Sequence, residues 1–266
     1  MDLQLSGKNA VVTGGSRGIG KAVAWALARE GCNVGLVARD PVAVGRAARE
    51  IQDSVGTRAV PLVADTTVTA SVDAMVTGAV ELLGGVDILV NCAARAAGGA
   101  PPPQLAEITD EAFEEEMNTK VMGYLRCARA VAPHMRRAGW RRIISISGLA
   151  ARATGNTIGS IRNVSVVAMT RNLADELGPA GINVTAVHPA MTYTERIPAL
   201  VKTIAERDGI AEDEATRRML ADNALRRVIH ADDVAALVTF LASPLSVAVN
   251  GDVIAAGGGV GGSIYY

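Results

Sequence analysis

The chain is poor in histidine, cysteine and tyrosine. Its 266 residues include three histidines, three cysteines and four tyrosines. Cys32, Cys92 and Cys127 are scattered and odd in number, which excludes a regular disulfide framework and a cysteine metal motif. With so few histidines, none at ligand spacing, no metal site is expected. The cysteines are expected to be small buried hydrophobes in a reducing compartment. Neither sign of charge dominates: 26 Lys and Arg against 27 Asp and Glu leave a net charge of −1. Nothing in that balance points to nucleic acid or an anionic membrane surface as a partner. The one local basic run, Arg136, Arg137, Arg141 and Arg142 around Trp140, reads as a solvated turn before a strand. No apolar run is long enough to span a bilayer. The opening MDLQLSGKNA lacks the charged-then-apolar pattern of a secretion signal, so a cytoplasmic protein is expected.

What is present is organised around 11–20, VVTGGSRGIG. A buried strand over 8–12 runs into a glycine-rich turn, and helical spacing follows over 21–30. Strand, glycine turn and helix start in that order are the context of a dinucleotide site. Glycines let the backbone turn tightly and approach a pyrophosphate, and the free N–H groups of the helix start attract its charge. A second strand over 33–38 ends at Arg39 and Asp40. An acid at that point hydrogen-bonds a ribose 2′-hydroxyl, whereas an arginine accommodates a 2′-phosphate. Arg39, joined by Arg17 of the glycine turn, favours NADP(H) over NAD(H).

Further units follow in alternation. Helix is expected over 41–56, 71–83, 158–177 and 231–242, and strand over 58–63, 86–90, 142–147, 182–187 and 252–255. Two long helices, 108–120 and 121–137, follow the break at Pro101–Pro103. The polar stretch 195–222, interrupted by Pro198 and Gly209, reads as a pair of short helices forming a lid over the site. Strands alternating with helices imply an α/β fold: a single Rossmann-type, doubly wound parallel sheet flanked by helices, with 1–266 as one domain.

Several pieces together resemble the short-chain dehydrogenases/reductases over essentially the whole length. They are TGGSRGIG at 13–20, Asp65 after the third strand, NCAA at 91–94, LADELGPAGINVTAVHPA at 173–190, and ADDVAALVTFLASP with NGDVIAAGGG toward the end. The resemblance implies that Gly14, Gly18, Ile19 and Gly20 hold the pyrophosphate, with Ser16 and Arg17 in the same turn. It puts Asp65 and Thr66 by the adenine and Asn91 and Ala93 along the ribose path. Pro189, Thr192 and Thr194 fall beside the nicotinamide. A small-molecule substrate and a homodimer or homotetramer are implied too.

The family's chemistry uses a serine on the substrate carbonyl, a tyrosine that handles the proton, a lysine four residues later, and an asparagine on another helix. This chain has no tyrosine between Tyr124 and Tyr193, and no lysine between Lys120 and Lys202. A register anchored on 169–173 puts Gly159 at the tyrosine position and Asn163 at the lysine position. A register counted from the strand gives Ile161 and Ser165 instead. The serine position falls on Gly148, with Ser147 beside it. The asparagine position falls on Lys120, so Lys and Asn have traded places. Burial would lower the Lys120 pKa and suit it to donate a proton or clamp an oxyanion. Lys120, Ser147 and Asn163 are therefore the catalytic candidates. His188 and Tyr124 read as packing residues, Arg152 and Arg162 as solvated surface, and Tyr193 as a lesser candidate for a phenol brought in by the loop. The expected function is NADP(H)-dependent hydride transfer to or from a small carbonyl, enoyl or alcohol compound with an altered proton relay. The alternatives are a catalytically silent NADP-binding sensor or partner subunit, and a non-redox isomerase or lyase on the same fold.

Overall fold

The computed structural model describes residues 1–95, 101–135, 139–221 and 223–261. Seven parallel strands form one sheet in the order β3-β2-β1-β4-β5-β6-β7. They are β1 (Asn9–Thr13), β2 (Asn33–Ala38), β3 (Ala59–Val63), β4 (Ile88–Asn91), β5 (Arg141–Ile146), β6 (Ile182–Pro189) and β7 (Val253–Ala256). The helices are α1 (Gly18–Arg29), α2 (Pro41–Val55), α3 (Thr69–Leu83), α4 (Asp110–Glu116), α5 (Gly123–Met135), α6 (Thr157–Leu177), α7 (Ile197–Asp208), α8 (Glu212–Leu220) and α9 (Ala231–Ala242).

The strands read as continuous apolar runs because both sheet faces are covered. Successive side chains point to opposite faces. Val12, Ile88, Val90 and Ile144 therefore join the core under α1, α2 and α9. Their neighbours Val11, Leu89 and Ile143 join the opposite core, under α3 and α5. The strand order reverses between β1 and β4, and Thr13 pairs with both Val37 and Asn91. The carboxyl ends of β1, β2 and β4 thus stand level around the crevice where such sheets bind ligands.

Two expectations need correction. The two helices expected over 108–137 are α4 and α5, with a π-turn at Met117–Met122 between them, so the expected boundary at 120–121 falls inside that turn. The basic run is not a solvated turn where it is described. Arg141 pairs with Asp87, and Arg142 is 1% exposed, donating to the Ser243 carbonyl at 3.1 Å and lying 5.0 Å from the Trp140 ring centre. Backbone acceptors and an aromatic face replace water around that guanidinium. Arg136 and Arg137 lie outside the described residues, as does the end of the glycine-rich tail, 262–266.

Candidate active site

The glycine turn comes first because its geometry decides what can lie on it. Gly14 and Gly18 have φ of +69° and +56°, a region that L side chains rarely enter. A Cβ on Gly14 would stand 3.0 Å from the Cys92 and Ala93 backbone. One on Gly20 would stand 2.3 Å from the Gly14 oxygen, so the start of α1 packs directly on the turn. Thr13 ties the turn to β4: its hydroxyl accepts from the Cys92 and Ala93 N–H groups at 3.0 and 3.2 Å. At the turn's outer edge the Gly18 N–H donates to both Glu195 carboxylate oxygens, at 2.9 and 3.2 Å.

Along the crevice, Asn91 is fully buried; its amide reaches the Tyr124 carbonyl at 3.5 Å and its Oδ1 has no partner among the described residues. Asp65 accepts from the Thr67 N–H and hydroxyl at 2.9 and 2.7 Å. Burial pushes its carboxyl up, but those bonds and the charges of Arg39 and Arg126 outweigh burial and hold it below the usual range. Thr66 is buried beside Gly123. Pro189 closes β6, the Thr192 hydroxyl donates to the Ala190 carbonyl at 2.9 Å, and the Thr194 methyl lies by Gly18. Ser16 is half-buried, Arg17 is exposed, and Ile19 packs against the core.

The catalytic candidates meet. The π-turn carries Lys120 inward to 4% exposure, and its Nζ donates to the Ser147 carbonyl at 2.8 Å and to Asn163 Oδ1 at 2.9 Å. Burial lowers the Lys120 pKa to about 7, helped by repulsion from Arg162 and opposed by Glu116. The Ser147 hydroxyl donates to the Asn163 carbonyl at 3.1 Å, fastening α6 to the end of β5. His188 Nδ1 accepts from the Gly148 N–H at 3.1 Å. Burial and the charges of Arg152 and Lys120 bring its pKa down to about 4, so it stays a neutral packing residue. Tyr124 is buried and donates to the Ile146 carbonyl at 3.0 Å, and Tyr193 packs on the His230 ring at 5.0 Å. Arg162 is not solvated surface: it pairs with Glu116, which also faces Arg95, and its Nε is buried. Cys32 and Cys127 are buried, and burial pushes the Cys32, Cys92 and Cys127 thiols up to about 12.

Residues 14–261 match the family model described as enoyl-(acyl carrier protein) reductase. The chain belongs to the short-chain dehydrogenase/reductase family of oxidoreductases. It is 36% identical over 251 residues to the short-chain reductase protein NovJ of Streptomyces niveus, covering 94% of this chain and 92% of that one. L-sorbose reductase from Gluconobacter frateurii, complexed with NADPH and L-sorbose, superposes with a TM-score of 0.92. That pair is 28% identical and covers 99% of this chain and 100% of the other. A 7α-hydroxysteroid dehydrogenase, complexed with NADH and 7-oxo glycochenodeoxycholic acid, gives a TM-score of 0.84 at 30% identity, over 97% of this chain and 96% of that one.

In this short-chain dehydrogenase/reductase, α6 turns 159 and 163 inward. Gly159 and Asn163 are buried, while Ile161 is 42% exposed and the Ser165 hydroxyl is spent on the Ile161 carbonyl. Asn156 caps the helix by accepting from the Gly159 N–H at 2.8 Å, and a Cβ on Gly159 would come within 2.6 Å of its carboxamide. Gly148 is fitted less closely, since a Cβ there would stand 3.0 Å from Asn163 Nδ2. Glu195, Glu116 and Asn156 escape a reading of local pattern. Only Asn156 leaves a trace in sequence, as a helix-capping residue type ahead of an apolar stretch.

Proposed function

We propose that this chain is an NADP(H)-dependent oxidoreductase of a small carbonyl, enoyl or alcohol compound in which Lys120 does the work of the missing phenol. One observation carries the reading: a buried lysine amine held by two fixed acceptors, Ser147 O and Asn163 Oδ1. With Cε and two hydrogen bonds set, the nitrogen has one tetrahedral position left. As ammonium it presents an N–H there, and as amine a lone pair. A pKa of about 7 makes both forms accessible near neutrality. Asn163 and Ser147 orient the amine, and the remaining N–H gives the proton to a substrate oxygen or stabilises an oxyanion on it.

The residues of the turn fit the cofactor. Gly14, Gly18, Ile19 and Gly20 would hold the pyrophosphate: Gly14 and Gly20 let the start of α1 pack directly on the turn and on the backbone that follows β4, and the Gly18 N–H already holds an anionic group, the Glu195 carboxylate. Asp65 and Thr66 would flank the adenine, Asn91 and Ala93 the ribose path, and Pro189, Thr192 and Thr194 the nicotinamide. When bound, the nicotinamide supplies or accepts the hydride. Asp40 caps α2 through Oδ1, which accepts from the Val42 and Ala43 N–H groups at 2.9 and 3.2 Å. Arg39 is exposed, makes no hydrogen bond or ion pair among the described residues, and with Arg17 and Ser16 suits a 2′-phosphate. This favours NADP(H) over NAD(H). The same proposal makes 1–266 one domain, with 195–222 as its lid, acting in the cytoplasm as a homodimer or homotetramer.

Cofactor titration followed by NADPH consumption over a panel of aldehydes, ketones and enoyl compounds tests the reading. Binding with turnover of some member supports it. Tight NADPH binding with no oxidation of any member would make the protein a silent binder instead. Arg39→Ala is expected to weaken NADPH binding about tenfold and to leave NADH binding within about twofold. Equal losses for both nucleotides would remove Arg39 as the phosphate contact.

A further inference from the structure

Helix α1 begins without a cap of its own. Arg17 at its N-cap makes no side-chain capping bond, and its first turn holds no acid. By contrast, α2, α4 and α6 are capped locally by Asp40, Thr109 and Asn156. The anion missing from α1 comes from 177 residues away: Glu195 places both carboxylate oxygens on the Gly18 N–H, at 2.9 and 3.2 Å. Among the described residues Glu195 has no cationic partner. Lys21, which lines the same cavity of about 290 Å³, pairs instead with Glu50. The carboxylate is therefore held by a backbone donor and the positive end of the helix dipole.

Glu195 also opens a segment with its own small core. Ile197, Val201 and Ala205 of α7 pack with Ala215 and Leu220 of α8, forming a cluster apart from the two that sandwich the sheet. We propose that Glu195 is an internal competitor for the cofactor's pyrophosphate, a latch that keeps the α7–α8 segment on the glycine turn until the dinucleotide takes its place. Both groups are anions and both need the Gly18 N–H, so they exclude each other. Arrival of the cofactor releases Glu195, and with it the segment that Glu195 leads. This inference rests on the dinucleotide reading of the turn.

The test is a fluorescence titration of the full chain with NADPH, comparing wild type, Glu195→Gln and Glu195→Ala. Loss of the carboxylate is expected to lower the NADPH Kd about two- to fivefold in both variants, the range of one charge at an exposed helix start. Adenosine 2′-monophosphate, which carries the 2′-phosphate but neither phosphate of the pyrophosphate, should bind all three proteins equally. An unchanged or larger NADPH Kd in both variants would overturn the latch while leaving the dinucleotide site standing. Equal tightening for the 2′-monophosphate would overturn it too, by pointing to a general loosening of the segment. Failure of wild type and both variants to bind any nicotinamide nucleotide would overturn the dinucleotide reading itself, and the latch with it.

Discussion

Replacing Lys120 with methionine is expected to cut turnover about a hundred- to ten-thousandfold while NADPH affinity stays within a few-fold of wild type. The size is that of a lost general acid, because the methionine keeps the approximate length and bulk of the side chain and removes the amine with its proton. The protein should still fold. The substitution strands two acceptors, Ser147 O and Asn163 Oδ1, which costs about 1–3 kcal/mol. It also removes an ammonium that is 4% exposed, which offsets that cost. Stability should report the exchange through pH. The Lys120 pKa falls from 10.5 in an ordinary lysine to about 7 in the fold. Below pH 7 both states hold the proton and the fold bears the buried charge. Between pH 7 and 10.5 the unfolded chain holds a proton that the folded chain has released, so rising pH stabilises the fold. Urea unfolding at pH 7 and pH 9.5 should show wild type gaining stability relative to Lys120→Met. Equal turnover in the two proteins would dismiss Lys120 from the chemistry, and a large loss of NADPH affinity would recast it as a cofactor contact.

Gly20→Ala is expected to lower NADPH affinity by at least about a hundredfold or to prevent folding. A Cβ at this position would stand 2.3 Å from the Gly14 oxygen and 2.8 Å from its carbonyl carbon. Both are backbone atoms of the same turn, so nothing can swing aside, and α1 must back away from the strand that feeds it. Gly18→Ala is the contrast. Its φ of +56° costs an alanine about 1–2 kcal/mol, but the added methyl meets only Thr194 Cγ2, at 3.7 Å. That variant should fold, melt a few degrees lower and lose less affinity than Gly20→Ala. Thermal melting with and without NADPH separates the two. A Gly20→Ala protein with wild-type melting and affinity would show that the close approach has no part in shaping the turn.

Much of the fold was legible because its signals are local. The strand over 33–38 and the helix over 231–242 stand where the sequence places them, since each apolar run is bounded by turn or capping residues. The π-turn was not legible. Apolar spacing reports which face a helix buries, not a slip in its hydrogen-bond ladder, and here the slip carries Lys120 inward. Arg142 and Arg162 were misjudged for one reason: charge suggests water, whereas Trp140 and the Ser243 carbonyl cover the first and Glu116 holds the second. The sequence register singles out both Lys120 and Asn163, and the structure brings the two side chains to 2.9 Å. The contact of Glu195 with Gly18 joins two ends of the chain that no local pattern relates.

The most direct measurement is the pH dependence of first-turnover NADPH oxidation, with any substrate the panel yields, in wild type and Lys120→Arg. The arginine keeps the charge but releases no proton in this range. The wild-type rate should be level below about pH 7 and fall toward tenfold per unit above it, while Lys120→Arg is slow and flat throughout. A wild-type profile that stays level to pH 9.5, or the same falling limb in both proteins, would mean that the proton comes from some group other than Lys120.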